Sequence, residues 1–280
     1  MRLPTLRAQN QTFCILELDH PLLFAEQLGV SVADPAGLAH IQQVQGELMR
    51  ALSPEISGVV LDSESSYWAL EQKAQHTGVV FSLEKQTSES DPLAVPRLAE
   101  TWGVVPTKNN YALSKLKLAY HPSQKAALQK RQFVAEISEY SHQQGIDFIL
   151  ELDLMHEGEA EQAMLQSISE MRSLVDLWVL PAAQPLTAVT ITAQLDVPWI
   201  FSVLTERYDL FKEQLRVALE GGAAGFMVGP ALWADVLRAH PGAAAREDRA
   251  KAFQTIVRDR FLELARITGE HVAQTDIANT

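Results

Sequence analysis

VPWIFSVLTERYDLFKEQLRVALEGGAAGFMVGPALWADV, residues 197–236, is the stretch on which the fold is decided. Pro198 to Val203 is a short apolar run bounded by proline and polar residues, the pattern of a strand buried on both faces. A helix is expected over Tyr208 to Glu220, where Phe211, Leu215, Ala218 and Leu219 form one apolar stripe and Gly221-Gly222 supply the φ > 0 conformations that end helices. A second apolar strand, Gly225 to Val228, follows, and Gly229-Pro230 opens another helix with proline where its missing N–H costs nothing. The backbone N–H groups at that helix start are suited to an anion.

The same alternation runs back through the chain. Phe13 to Leu18 reads as a first strand ended by Asp19-His20-Pro21, and a helix around Leu22 to Leu28 follows it. Asp34-Pro35 caps a helix that stops near Ser53-Pro54, Gly58 to Leu61 delivers Asp62 to a strand end, and Tyr67 to Gln75 is expected to be helical. Gly78 to Leu83 is a third strand, Gln86 to Pro96 a loop, and Arg97 to Gly103 a short helix. Leu113 to Tyr120 is the fourth strand, followed by a long helix over Ser123 to His142. Asp147 to Leu152 is the fifth strand, with Glu151 and Asp153 on one face, and Glu159 to Ser173 is helical. Leu177 to Leu180 is the sixth strand, and Leu186 to Gln194 a weaker element because Val, Thr and Ile lower helix propensity.

Eight strands alternating with helices in 280 residues is the pattern of a single-domain (β/α)8 TIM barrel, with its core over about 13–240 and a terminal helix over about 243–268. The last ten residues are expected to fray. A doubly wound sheet is disfavoured by the lack of a glycine-rich turn after the first strand.

A net charge of -12 without a basic patch argues against nucleic acid and anionic membranes as partners. The one cysteine, Cys14, lies in an apolar run, which leaves no disulfide framework and fits a reducing cytoplasm. No signal-peptide pattern is found at the N-terminus, and no apolar run reaches about 18 residues. The expected partners are therefore a small-molecule ligand or substrate, with self-association into a homo-oligomer as a further option.

In such a barrel the reacting groups come from the carboxyl ends of the strands. Charge inside a strand is the informative signal here. Lys115 and Lys117 share one face of the fourth strand, and an inward lysine requires either a carboxylate such as Glu151 or a depressed pKa. The first outcome is a structural ion pair, which spacing alone favours, and the second is an amine able to form a Schiff base with a carbonyl compound. Lys115, Glu151, Asp19 and Asp62 are the candidate catalytic residues, and Lys117, Trp178, Ser202 and Gly229 the candidate substrate-binding positions. Asp19, Asp62, Glu151 and Asp153 offer hard oxygen ligands, but no histidine-rich spacing supports a transition metal, so neither a metal nor another cofactor is expected. His156-Glu157 reads as a solvated loop, and neither a nucleophile elbow nor a Walker-type loop occurs.

Several segments resemble the class I aldolases that include tagatose-1,6-bisphosphate aldolase and sulfofructosephosphate aldolase. PWIFS, EGGAAGFMVG and GPALW correspond to that family's PWVxLSSGV, EAGASGFLAG and GRAxW segments; ILELDHP, RALSPEISGVVLD, SKLKLAY and FILELD are weaker echoes. The resemblance spans residues 13–237 and implies a barrel. It also implies a degenerate site. The family's Schiff-base lysine lies in a DxYKVEMP segment, and here Asp176-Leu177-Trp178-Val179-Leu180-Pro181 puts Val179 in its place. Val203-Leu204-Thr205 replaces the phosphate-binding SSG, Pro230 the arginine of GRA, His20-Pro21 a Gln-Arg pair, and Gln45 a family lysine. Asp19, Asp62, Lys115 and Glu151 survive, so bisphosphorylated ketoses are not the expected substrates. Two expectations remain: a lyase using Lys115 as a Schiff-base or electrostatic residue and Glu151 as general acid/base, or a non-catalytic homologue that binds a small molecule or a regulatory partner.

Overall fold

The structure, a computed structural model, describes residues 2–85, 91–100, 104–110, 112–153, 160–182 and 184–278. Eight parallel strands close into one barrel in sequence order. They are β1 (Phe13–Glu17), β2 (Gly58–Leu61), β3 (Gly78–Ser82), β4 (Leu113–Ala119), β5 (Phe148–Asp153), β6 (Leu177–Leu180), β7 (Trp199–Phe201) and β8 (Gly225–Val228). The seam joins β1 to β8 with Phe13 opposite Gly225. Around them lie α1 (Pro21–Leu28), α2 (Pro35–Leu52), α3 (Val104–Asn109), α4 (Ala127–Gln143), α5 (Ala160–Met171), α6 (Pro185–Gln194), α7 (Tyr208–Glu220) and α8 (Pro230–Ala239). The chain closes on α9 (Arg246–Ala252) and α10 (Arg258–Ala278). This is the (β/α)8 barrel that the alternation predicts.

Local chemistry accounts for the main boundaries. Asp34 caps α2 by accepting from the Gly37 N–H at 3.1 Å, with Pro35 at the first helical position. The stripe Phe211, Leu215, Ala218 and Leu219 is the buried face of α7, which ends at Gly221.

The period of two along each strand sorts side chains into two cores. Phe13, Ile15, Val60, Val80, Leu113, Ile149, Leu177, Val179, Ile200 and Met227 fill the barrel interior. Their neighbours, including Leu116, Leu150, Trp178 and Phe226, face outward under the helices. Leu6, on a one-turn 3-10 helix (Leu3–Leu6), plugs the floor of the interior. Gly58 and Gly78 make room for it, since a Cβ at either position would stand 2.7 Å from Leu6 Cδ2.

Four local expectations differ from the structure. Residues 97–100 form no helix: the Lys85 N–H donates to Arg97 O at 2.7 Å and the Ala99 N–H to Leu83 O at 2.8 Å, drawing this segment alongside the end of β3, and the first helix after it is α3. Residues 101–103 of that expected helix, like the His156-Glu157 loop, lie outside the described residues. Tyr67–Gln72 is helical as expected, a 3-10 helix, but stops short of Gln75. The weak element after β6 is the ten-residue α6, because burial of Thr187, Ala188 and Ile191 outweighs its poor propensity. The terminal helix continues to Ala278 instead of fraying. A π-helical turn at Phe253–Val257 separates α9 from α10, and Phe253, Val257, Phe261 and Leu264 are all buried along it.

Candidate active site

The carboxyl ends of β1, β3, β4 and β5 bring their inward charges together just above the apolar interior. The inward set of β4 is Leu113, Lys115 and Lys117, while Ser114 points the other way and meets Ser141 of α4 at 3.1 Å. Lys115 is fully buried. Its Nζ lies 2.5 Å from Glu151 Oε2, 2.9 Å from Asp19 Oδ2 and 3.9 Å from Glu17 Oε1. Lys117 pairs with the other oxygen of Glu151 at 2.9 Å, so this carboxylate bridges two ammoniums. Ser82 donates to Asp19 Oδ2, and the Lys117 backbone N–H donates to Glu84 Oε2 at 3.1 Å.

These contacts settle the protonation of the two lysines. Burial favours the neutral amine of Lys115, but Asp19, Glu151, Glu84 and Glu17 together outweigh it and hold the ammonium well above the ordinary lysine value. For Lys117, too, burial is opposed and overcome by Glu151 and Glu17. Burial pushes the carboxyls of Asp19 and Glu151 up, and the facing ammoniums more than reverse it, leaving both well below the usual carboxylate range. Glu84 behaves differently. Burial raises it to about 7, only partly relieved by Lys115. It is a carboxyl half protonated near neutrality, and its Oε1 is buried without a partner.

A cleft of about 800 Å³ opens over this cluster, lined among others by His20, Glu84, Lys117, Asp153 and Leu204. One wall is tied down by Lys130 of α4, whose ammonium donates to Pro92 O and Ala119 O, both at 2.6 Å.

The other candidate positions are distributed unevenly. Asp62 accepts from both the Ser65 and Ser66 hydroxyls, at 2.6 and 2.8 Å, and from the Glu64 and Ser65 N–H groups. It organises the turn after β2, and no hydrogen bond or ion pair joins it to Lys115. Ser202 is buried at the end of β7, and its hydroxyl bonds none of the charged cluster. Gly229 does touch the cluster: a Cβ there would stand 3.2 Å from Glu17 Oε2. The start of α8 therefore already faces a carboxylate, which weakens it as an anion site despite its backbone N–H groups. Trp178 requires a correction. It is fully buried on the outward face of β6, opposite Leu150 and Trp199, and cannot line the cleft. Its inward neighbour is Val179, level with Glu151. Gln45, where the resemblance expects a lysine, is buried and donates to Leu18 O at 2.9 Å and to the Ser65 hydroxyl at 3.0 Å.

Glu17, His20, Ser82 and Glu84 lie in the same cluster; His20 and Glu84 are strand-end groups that the sequence already offers, whereas Glu17 and Ser82 were not among the candidates. Alternation carries the signal for them, because counting back two from Asp19 gives Glu17, and counting on two from Val80 gives Ser82 and Glu84.

No family model matches the chain. Among solved structures the likeness is to aldolase-type barrels. An archaeal fructose-1,6-bisphosphate aldolase, with its catalytic lysine covalently bound to the carbinolamine intermediate, superposes with a TM-score of 0.65 at 16% identity, covering 96% of this chain and 98% of that one. The fructose-bisphosphate aldolase of Slackia heliotrinireducens gives 0.63 at 10% identity over 98% and 90%. A Corynebacterium glutamicum protein gives 0.64 at 16% over 90% and 86%. At these identities the likeness carries the fold alone, a (β/α)8 barrel.

Proposed function

We propose that the protein is an aldolase-like carbon–carbon lyase acting on a small hydroxycarbonyl compound by proton transfer and electrostatics, with no Schiff base. The observation that carries this reading is Glu84, a buried carboxyl raised to about 7 whose Oε2 accepts from the Lys117 backbone N–H and which lines, with Lys117, a ligand-sized cleft. The Glu84 carboxylate accepts the proton of the substrate's β-hydroxyl. The carbon–carbon bond then breaks, the hydroxyl carbon leaves as a carbonyl compound, and the bonding electrons become an enolate whose oxygen faces Lys117. Protonated Glu84 returns its proton to the enolate carbon. Lys115, Asp19 and Glu151 hold Lys117 and the local field in place. Glu151, bridging two ammoniums, is too weak a base near neutrality to take the proton itself.

The resemblance to the tagatose-1,6-bisphosphate aldolase family supports the lyase class. The missing lysine at Val179 and the apolar Val203-Leu204 segment support a substrate without strong phosphate recognition. A single buried thiol fits the cytoplasm.

The test is a coupled retro-aldol assay over a panel of hydroxyketones and 4-hydroxy-2-keto acids, with and without borohydride. Expected are cleavage of one class, a loss of about 10²–10⁴-fold in kcat for Glu84→Gln, and an unchanged intact mass after reduction. A borohydride-stable adduct on Lys115 or Lys117 overturns the non-covalent mechanism. A second reading, a non-catalytic small-molecule-binding barrel, is favoured by the engagement of both interior ammoniums with carboxylates and by apolar Val179. It is supported if a panel compound raises Tm without turnover.

A further inference from the structure

At the end of β1 three buried polar atoms have no hydrogen-bond partner: Glu17 Oε1, Asp19 Oδ1 and His20 Nε2. Their residues are 3%, 0% and 5% exposed. Buried polar groups are nearly always satisfied, so three orphans at one place point to an occupant. They also converge. His20 Nε2 is 3.4 Å from Glu17 Oε1 and 4.0 Å from Asp19 Oδ1, and one ligand atom from each residue lies within 4.8 Å of the others.

A proton on His20 makes ion pairs with Glu17 and Asp19 but no close hydrogen bond to either. Both separations exceed the ~2.7–3.2 Å of an N–H···O hydrogen bond, and one N–H cannot serve two acceptors at that range. They do suit one shared ion. Bonds of about 2.0–2.2 Å set two ligands of a tetrahedral ion roughly 3.3–3.6 Å apart, which the Glu17–His20 separation meets and the Asp19–His20 separation reaches on a slight closing of the two side chains.

The surroundings are arranged accordingly. Lys115 and Ser82 both engage Asp19 through Oδ2, which turns Oδ1 toward His20. Glycine at position 229 leaves the space beside Glu17 and His20 open, since a Cβ would stand 3.2 Å from Glu17 Oε2 and 3.5 Å from His20 Cδ2. His20 lines the cleft, which gives an ion a route from solvent. Glu17 and Asp19 share Lys115 with Glu151, so a divalent cation between them would meet two carboxylates whose lysine partner is already divided.

The geometry points to a binding site for a first-row divalent transition-metal ion, of the Zn²⁺ or Mn²⁺ type, formed by Glu17, Asp19 and His20 at the mouth of the barrel. Two carboxylate oxygens and an imidazole nitrogen, with no thiolate, are the donor set such ions accept. Of the carboxylates that spacing alone suggests as ligands, only Asp19 belongs to the site. Asp62 is consumed by its own turn and Glu151 by the lysines. The inference does not depend on the lyase reading and is tested without an activity assay.

The protein is dialysed against EDTA, desalted and titrated with Zn²⁺ alone and with Co²⁺ alone. One equivalent of either is expected to bind and raise Tm, with visible Co²⁺ absorption. Glu17→Gln and His20→Asn should each weaken binding by at least tenfold, and Asp62→Asn should leave it unchanged. X-ray absorption on the wild-type Zn²⁺ complex guards against misfolded variants and should show an O/N shell with a single imidazole. Substoichiometric binding, equal affinity in the Glu17 and His20 variants, or a shell with sulfur or several imidazoles overturns the site.

Discussion

Lys115 shows how much a single inward charge constrains its surroundings. Its ammonium is satisfied only by carboxylates from β1 and β5, so removing it leaves Asp19 and Glu151 facing each other without their common counter-ion. Breaking a buried pair in this way costs about 3–5 kcal/mol, and Lys115→Met is expected to lower the urea midpoint accordingly, with a smaller loss for Glu151→Gln. The pH dependence has two limbs of opposite sign. Glu151 is lowered in the folded state, so its contribution is complete above its ordinary value of 4.5 and is lost as pH falls below that. Glu84 is raised from 4.5 to about 7, so its contribution is complete below 4.5 and is lost as pH rises through 7. Urea midpoints measured in EDTA should therefore decline from pH 5 to pH 8 in the wild type and decline less in Glu84→Gln, where His20, held above its ordinary value by Glu17 and Asp19 against burial, still loses its contribution as pH rises above 6.5. An unchanged slope in the variant would assign the decline to another group. The pairing of Lys115 with Glu151 was legible in the sequence as one of two outcomes, because period-two alternation put both on inward faces. The roles of Glu17, Ser82 and Glu84 were not, since a carboxyl's pKa depends on neighbours contributed by other strands.

At the scale of the element, the strands and most helices follow from local pattern, whereas the departures follow from tertiary contacts that no local pattern contains. Arg97 and Ala99, on either side of Leu98, hydrogen-bond to the backbone at the end of β3 in place of forming a helix, and α6 forms because Ala188 and Ile191 are buried. Trp178 and Val179 show the same limit within one strand: a shift of one residue exchanges interior for exterior, and which of the two faced the cleft was set by the register with β5. The terminal helices are anchored by Arg249, fully buried, which donates to Glu47 at 3.0 Å and to the carbonyls of His240 and Gly242 at 3.1 and 3.2 Å. Arg249→Met removes the partner of Glu47 Oε2 and leaves that carboxylate to Arg246 and Gln43, both on Oε1. Amide exchange is expected to speed up first in α9 and in the facing turns of α2, before the strands lose protection.

For the whole molecule, the two cores make the barrel and its helical coat separately measurable. Among the described residues no helix is long and apolar enough to cross a membrane. Cys14 faces the outer core, and burial raises its thiol to about 11, so reaction with a disulfide reagent near neutrality should await global opening. Its rate should then match the unfolding rate obtained from denaturant kinetics, and a faster reaction would reveal a local opening of the barrel at β1. Leu6→Ala is expected to cost about 2–5 kcal/mol, read from the urea midpoint, because the glycines at 58 and 78 carry no side chain to fill the gap. The floor has a kinetic consequence as well. With Leu6 in place the barrel is a blind-ended vessel, and any occupant of its upper chamber must depart by the route it arrived. Residence time is then governed by the rim alone, so substitutions along the rim should change arrival and departure rates together while those at the floor leave both untouched.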